Sequence, residues 1–263
     1  MRVLVTGAAG SLGRTVTVGL ADRGHEVVGL DLLPEPEGFE GGWHAVDCAD
    51  ADAVAAVFTA QPLDAVVHLA GNPDESSLPE ALTSHVVSTA ALLDAMVDQG
   101  VRRLVYASSN HAVGGVPRVD TVDAATLPRP DTFYGVAKVA AEALLRLYAD
   151  RYGFDTVACR IGSFRSQPES VRELATWLSP DDAVRMVEAA LTAPAPGFAV
   201  LYGVSANARG WWDLEPGRGL GYDPLDDAED HAAGVTPGPD DAAETAHVGG
   251  PFLAPSMRRP ALD

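Results

Sequence analysis

The chain holds one lysine, Lys138, and it stands four residues after a tyrosine in Tyr134-Gly135-Val136-Ala137-Lys138. The other seventeen of its eighteen Lys+Arg residues are arginines. An ammonium kept at a single position suggests chemistry that a planar guanidinium does not supply. Four residues apart on a helix, Tyr134 and Lys138 share one face. A neighbouring ammonium favours phenolate over phenol, so the Tyr134 pKa is expected to fall toward working pH. A tyrosine tuned that way is a general base toward an alcohol. By itself the pattern is common, and a surface lysine beside an amphipathic-helix tyrosine describes it equally well.

The N-terminal residues separate the two descriptions. Residues 2–6 read as a short buried strand, followed at once by Gly7-Ala8-Ala9-Gly10-Ser11-Leu12-Gly13 and then by a helical apolar pattern through Val16 and Leu20. Strand, glycine-rich turn and helix N-terminus together make a dinucleotide cradle: bare backbone approaches a pyrophosphate, and the helix end offers free N–H groups. The spacing is G-x-x-G-x-x-G, not the G-x-G-x-x-G of the standard fingerprint. A second strand over residues 26–30 ends in Asp31, whose carboxylate accepts from ribose hydroxyls and repels a 2′-phosphate. Leu32 and Leu33 follow it and offer no arginine. The reading is NAD, not NADP.

These motifs, with Asp47 after the third strand and Leu69-Ala70-Gly71 after the fourth, resemble the extended short-chain dehydrogenase/reductase family over about the first 160 residues. Three further segments narrow the likeness. They are Ser108-Ser109-Asn110-His111, then Arg160-Ile161-Gly162-Ser163 with Arg172 and Thr176-Trp177-Leu178-Ser179, and last Ala206-Asn207 with Trp211-Trp212-Asp213. Together they resemble its uronate dehydrogenase branch, NAD-dependent enzymes that oxidise C1 of a hexuronic acid to an aldarolactone. The resemblance implies Ser109, Tyr134 and Lys138 as the catalytic set. It implies a cofactor site of Gly7, Gly10, Ser11, Leu12, Gly13, Asp31, Asp47, Cys48, Leu69, Ala70, Gly71 and Ile161, completed by Tyr134 and Lys138. For the sugar it implies Asn72, Ser109, Asn110, His111, Tyr134, Ser163 and Arg172. A guanidinium suits a carboxylate, which it holds bidentately. Trp211, Trp212 and Asp213 either wall the pocket or pack a core.

Two positions depart from the family pattern. Asn72-Pro73 replaces a usual serine after the fourth strand, and proline has neither hydroxyl nor N–H to offer. That contact is then lost or moved to Asn72 or Ser76. His85 stands where an asparagine is common. An aldose or sugar-phosphate 1-dehydrogenase is the nearest alternative, with Arg165 joining Arg172 on a phosphate. A nucleotide-sugar epimerase or dehydratase needs a larger substrate lobe than the roughly 65 residues between Arg160 and residue 226. A non-catalytic NAD sensor has no need of Tyr134, Lys138 and Ser109.

The elements that must carry these side chains alternate as strand and helix, the signature of an α/β fold: a Rossmann-like doubly wound parallel sheet with a small C-terminal substrate cap. Strands are expected over residues 43–46, 64–69, 103–107 and 156–160. Helices are expected over 51–59, 79–98 and 131–151. Residues 1–160 form the NAD-binding core with the catalytic residues. Residues 161–225 form the cap, from a helix over 181–190 and a strand near 198–202. Residues 226–263 form an acidic, Pro/Gly-rich tail, read as mobile because it lacks periodicity.

The formal charge of −19 argues against nucleic acid or an anionic membrane as partner. No apolar run reaches membrane-spanning length and the N-terminus begins with a strand, so a cytoplasmic protein is expected. Cys48 and Cys159 fit reduced thiols. No Cys/His cluster has ligand spacing, so no metal is expected. The partner is a small sugar acid, and a homo-oligomer is expected by analogy through the helices near 79–98 and 131–151.

Overall fold

Val3, Leu4 and Val5 are wholly buried in strand β1 (Arg2–Thr6), which lies mid-sheet between β2 (Glu26–Asp31) and β4 (Ala65–His68). Such unbroken apolar runs belong to parallel strands covered on both faces. The computed structural model describes residues 1–119 and 121–262; Asp120 of the expected core and Asp263 of the expected tail lie outside the described residues.

After β1 come α1 (Ser11–Asp22), β2, β3 (Gly42–Ala45), α2 (Ala51–Ala60) and β4. The helix expected over 79–98 is three consecutive pieces: α3 (Leu78–Leu82), a π-helical turn (Thr83–Val87) and α4 (Ser88–Gln99). Then follow β5 (Arg103–Ser109), a 3₁₀ turn (Asn110–Val113), α5 (Phe133–Tyr152) and β6 (Asp155–Ile161). A short parallel pair, β7 (Ser163–Phe164) and β8 (Trp177–Leu178), brackets α6 (Glu173–Thr176). Next come α7 (Pro180–Thr192) and β9 (Phe198–Gly203), followed by short helices α8 (Glu215–Gly219) and α9 (Asp241–Glu244).

The main sheet is seven-stranded and parallel, in the order β3-β2-β1-β4-β5-β6-β9. Apolar residues of α1 and α7 cover one face; those of α2, α4 and α5 cover the other. The strand order reverses between β1 and β4, and a crevice at such a switch point is where doubly wound folds bind ligands. Among the described residues no helix is long and apolar enough to cross a membrane.

Two elements expected in a cap belong to this sheet layer. The strand near residues 198–202 is β9, paired in parallel with β6 from Thr156↔Phe198 to Ile161↔Gly203. Helix α7 packs on α1, where Gly19 lets Val184 come so close that a Cβ would lie 2.5 Å from its methyls. The apolar face of α7 is satisfied by the sheet and by α1, so it does not stand apart as a cap.

The tail is also placed differently from expectation. Val248 is wholly buried, and residues 246–249 run beside 114–118, with Arg118 N–H on Ala246 O, Val248 N–H on Val116 O and Gly249 N–H on Gly114 O. Backbone bonds of this kind need no hydrophobic periodicity, which is why composition alone suggested a loose end.

Candidate active site

The cradle is built at the carboxyl end of β1. Gly7 takes φ +68°, and a Cβ there would stand 2.7 Å from Ala70 N, so the turn closes against the end of β4. A Cβ on Gly13 would stand 2.0 Å from Gly7 O, which ties the turn to α1. Gly10 is different: its Cβ would meet only Gly7 O, at 3.2 Å. Helix α1 starts on Gly10 with no side-chain cap and no acid in its first turn. Its first N–H groups are therefore left for an anion. Asp31 accepts Ala9 N–H at 2.9 Å and Leu33 N–H at 3.0 Å, so the same carboxylate steadies the glycine loop. Asp47 accepts Ala49 N–H at 2.8 Å.

One cleft of about 730 Å³ runs from this cradle to the ends of β4 and β5. Gly7, Gly10, Ser11, Leu12, Gly13, Asp31, Asp47, Cys48, Leu69, Ala70, Gly71, Ile161, Asn72, Ser109, Tyr134 and Lys138 all line it. Lys138 is the one lysine or arginine among the lining residues. At the Asp31 end Leu32 and Leu33 are exposed, and among the described lining residues no arginine answers a 2′-phosphate.

Thr132 Oγ1 caps α5 by accepting Gly135 N–H at 2.8 Å, which sets Tyr134 and Lys138 on the helix face toward the cleft. Lys138 is buried; its Nζ donates to Ala107 O at 2.7 Å and lies 5.3 Å from the Tyr134 ring centre. Burial pushes the Lys138 ammonium down to about 7, with Glu142 opposing. Burial likewise pushes the Tyr134 phenol up to about 12, with the Ser109 hydroxyl pulling it down. The expectation of a lowered phenol is thus not met in the free protein: desolvation penalises the phenolate and outweighs the Ser109 hydrogen bond.

Ser109 Oγ donates to Asn110 Oδ1 at 3.2 Å and accepts His111 N–H at 3.1 Å. The alternate residue Ser108 points to the other side, donating to Glu142 Oε1 at 2.5 Å; Arg160 forks onto the same carboxylate at 3.0 and 2.9 Å.

Asn110, His111, Ser163 and Arg172 do not line that cleft. His111 is edge-on to the Tyr134 ring at 5.8 Å. Asn110 is buried and reaches Val248 O at 3.5 Å; Arg172 Nη2 donates to the same carbonyl at 2.9 Å. Ser163 shares a 2.9 Å hydrogen bond with Thr176. Arg165 is half-exposed and paired with Glu173 at 2.7 Å and Glu169 at 3.2 Å, so it does not join Arg172. Trp211 and Trp212 belong to a buried cluster with Tyr202, Val204 and Val248, and Trp212 Nε1 donates to Ala175 O at 2.9 Å. They are packing.

Asn72 lines the cleft where the departure from the serine occurs, while Ser76 does not. His85 is buried in the π turn, lining the cleft and edge-on to the Tyr134 ring at 5.0 Å. Its Nε2 pairs with Asn72 O at 2.9 Å, and burial pushes it down to about 3, so it is neutral. Burial also pushes the Cys48 thiol up to about 12, leaving it inert. Two acids were missed in the sequence. Glu75 accepts the N–H groups of Phe133 and Tyr134, and Asp131 holds His111. Neither belongs to a motif, and each lies in a Pro-containing loop.

A glycine cradle, an acid at the end of β2 and a Ser/Tyr/Lys set in one cleft define a nucleotide-dependent oxidoreductase of the doubly wound class. Residues 3–172 match the NAD dependent epimerase/dehydratase family. The chain belongs to that family, and its cofactor is NAD. It is 39% identical over 256 residues to a uronate dehydrogenase of Agrobacterium fabrum, covering 96% of each chain. It is 35% identical over 254 residues to that of Pseudomonas putida, covering 95% of each. A crystal structure of Agrobacterium tumefaciens uronate dehydrogenase, a tyrosine-to-alanine mutant complexed with NAD, superimposes with a TM-score of 0.90 at 38% identity, covering 98% of this chain and 99% of that one.

Proposed function

We propose that this chain oxidises C1 of a hexuronic acid, glucuronate or galacturonate, to the aldarolactone, with NAD as acceptor. The observation that carries it is the Ser109, Tyr134 and Lys138 set lining the same cleft as the glycine cradle, in a chain related end to end to proteins of that name.

When bound, NAD supplies the hydride acceptor and a positive ring, a charge that favours phenolate. Tyr134 takes the proton of the C1 hydroxyl. Lys138 spends one N–H on Ala107 O and keeps two for ribose and phenol oxygens. Ser109 turns its hydroxyl to the sugar oxygen and steadies the charge that develops there. Arg172 takes the carboxylate; its Nε is a buried donor with no partner among the described residues. Asn110 and Ser163 complete the sugar contacts. Cys48 and Cys159, buried and free, suit a reducing cytoplasm. The exposed Val136, Leu147 and Tyr152 of α5 suit self-association.

With α7 and β9 committed to the sheet layer, little chain is left to enclose a nucleoside diphosphate, which weighs against an epimerase. The test mixes the protein with NAD and either uronate, with glucose 6-phosphate in parallel, and follows absorbance of the reduced nicotinamide. Reduction with a uronate is expected. None with any sugar acid or phosphate overturns the dehydrogenase, and reduction with the phosphate alone overturns the uronate.

A further inference from the structure

Asp131 is a carboxylate buried for one bond. Its side chain is fully enclosed, and Oδ1 stands 2.9 Å from His111 Nδ1. Oδ2 is buried with no partner among the described residues. The enclosure comes from two glycine backbones: a Cβ on Gly114 would lie 2.2 Å from Oδ1, and one on Gly249 would lie 1.9 Å from Oδ2. A carboxylate half-unsatisfied in this way is a poor device for stability, and such groups persist where they serve a site.

A carboxylate only accepts hydrogen bonds. His111 Nδ1 therefore carries a hydrogen, and in the neutral ring this leaves a lone pair on Nε2. No hydrogen bond engages Nε2 among the described residues, and the atom is not sealed off. The ring is clamped edge-on by Phe252 at 4.9 Å and by Tyr134 at 5.8 Å.

We propose that Asp131 is a positioning residue that fixes His111 as the Nδ1–H tautomer, so that Nε2 accepts a hydroxyl of the sugar held beside Tyr134. The proposal rests on the sugar-oxidising reading of the cleft. The C-terminal stretch shares the role, because Gly249 seals the carboxylate and Phe252 holds the ring.

The first measurement is the nitrogen NMR spectrum of wild-type protein labelled in histidine, with His111 assigned by its loss in H111Q. A protonated Nδ1 with a free Nε2 is expected; the reverse tautomer overturns the proposal. The second compares D131A, H111A and the double variant using whichever uronate the wild type oxidises. Each single change is expected to lower kcat/KM at least tenfold, with NAD affinity by fluorescence titration within twofold of wild type. The double variant is expected to be no worse than H111A. Independent, multiplying losses overturn the proposal. Misfolding of D131A leaves the tautomer to decide. Absence of wild-type turnover sinks the functional reading instead, and the tautomer still judges the pairing.

Discussion

Glu75 Oε2 accepts the backbone N–H of Tyr134 at 3.2 Å, while its other oxygen takes Phe133 N–H at 3.0 Å. An acid 59 residues upstream thus caps the helix whose first turn presents the phenol. A carboxylate at a helix N-terminus satisfies free donors and complements the dipole. E75A is expected to cost about 1 kcal/mol of stability. Because the loosened turn carries Tyr134, kcat should fall more than the affinity for NAD. Urea unfolding and single-turnover kinetics check both, and wild-type kcat in E75A would refute the link.

Lys138 gives a pH signature to the free protein. Its folded value of about 7 lies below the ordinary 10.5, so between these the unfolded chain holds the extra proton. Stability therefore rises with pH through that window. His68 and His85, both pushed to about 3 from 6.5, have their effect below pH 6.5. Tyr134, Cys48 and Cys159, all pushed up to about 12, lower stability only above about 9. Urea unfolding from pH 7 to 9 should show the rise in wild type and a flatter profile in K138M. Equal slopes would contradict the assignment.

Arg172 is held away from the main cleft by Val248 O, yet it is the cation proposed for the uronate carboxylate. Removing one partner of such a pair costs 2–5 kcal/mol, so R172A should lower kcat/KM with uronates on the order of a hundredfold. Its affinity for NAD should stay within twofold. Unchanged uronate kinetics would remove Arg172 from the site.

Gly10 and Gly13 of the cradle should fail differently. A Cβ on Gly10 meets only Gly7 O at 3.2 Å, so G10A is expected to fold and to bind NAD at least tenfold more weakly. A Cβ on Gly13 would overlap Gly7 O at 2.0 Å, so G13A should lose thermal stability as well. Equal melting temperatures for the two variants would show that the turn has more freedom than its packing implies.

The cofactor half was legible because its requirements are local. Gly7, Gly10 and Gly13 follow one strand, Asp31 ends the next, and Tyr134 and Lys138 share a helix. Each is recognisable within a short window. The Tyr134 pKa was misread because the same burial that brings the ammonium close also desolvates the phenol, and sequence distance does not report burial. β9 was placed in a cap because an apolar run of six residues carries no mark of which sheet it joins. Glu75 and Asp131 escaped notice because each acts on a residue remote in sequence and itself lies outside any motif. The tail escaped because glycine and backbone carbonyls carry no pattern.

Residues 246–252 form a wall beside Asn110, His111 and Arg172, three side chains that lie far upstream of them in the chain. A growing chain that already has its nucleotide cradle still lacks the face proposed to meet the sugar. Proteolytic loss of residues 246–252 is expected to spare the hold on the coenzyme and to weaken the proposed grip on the sugar.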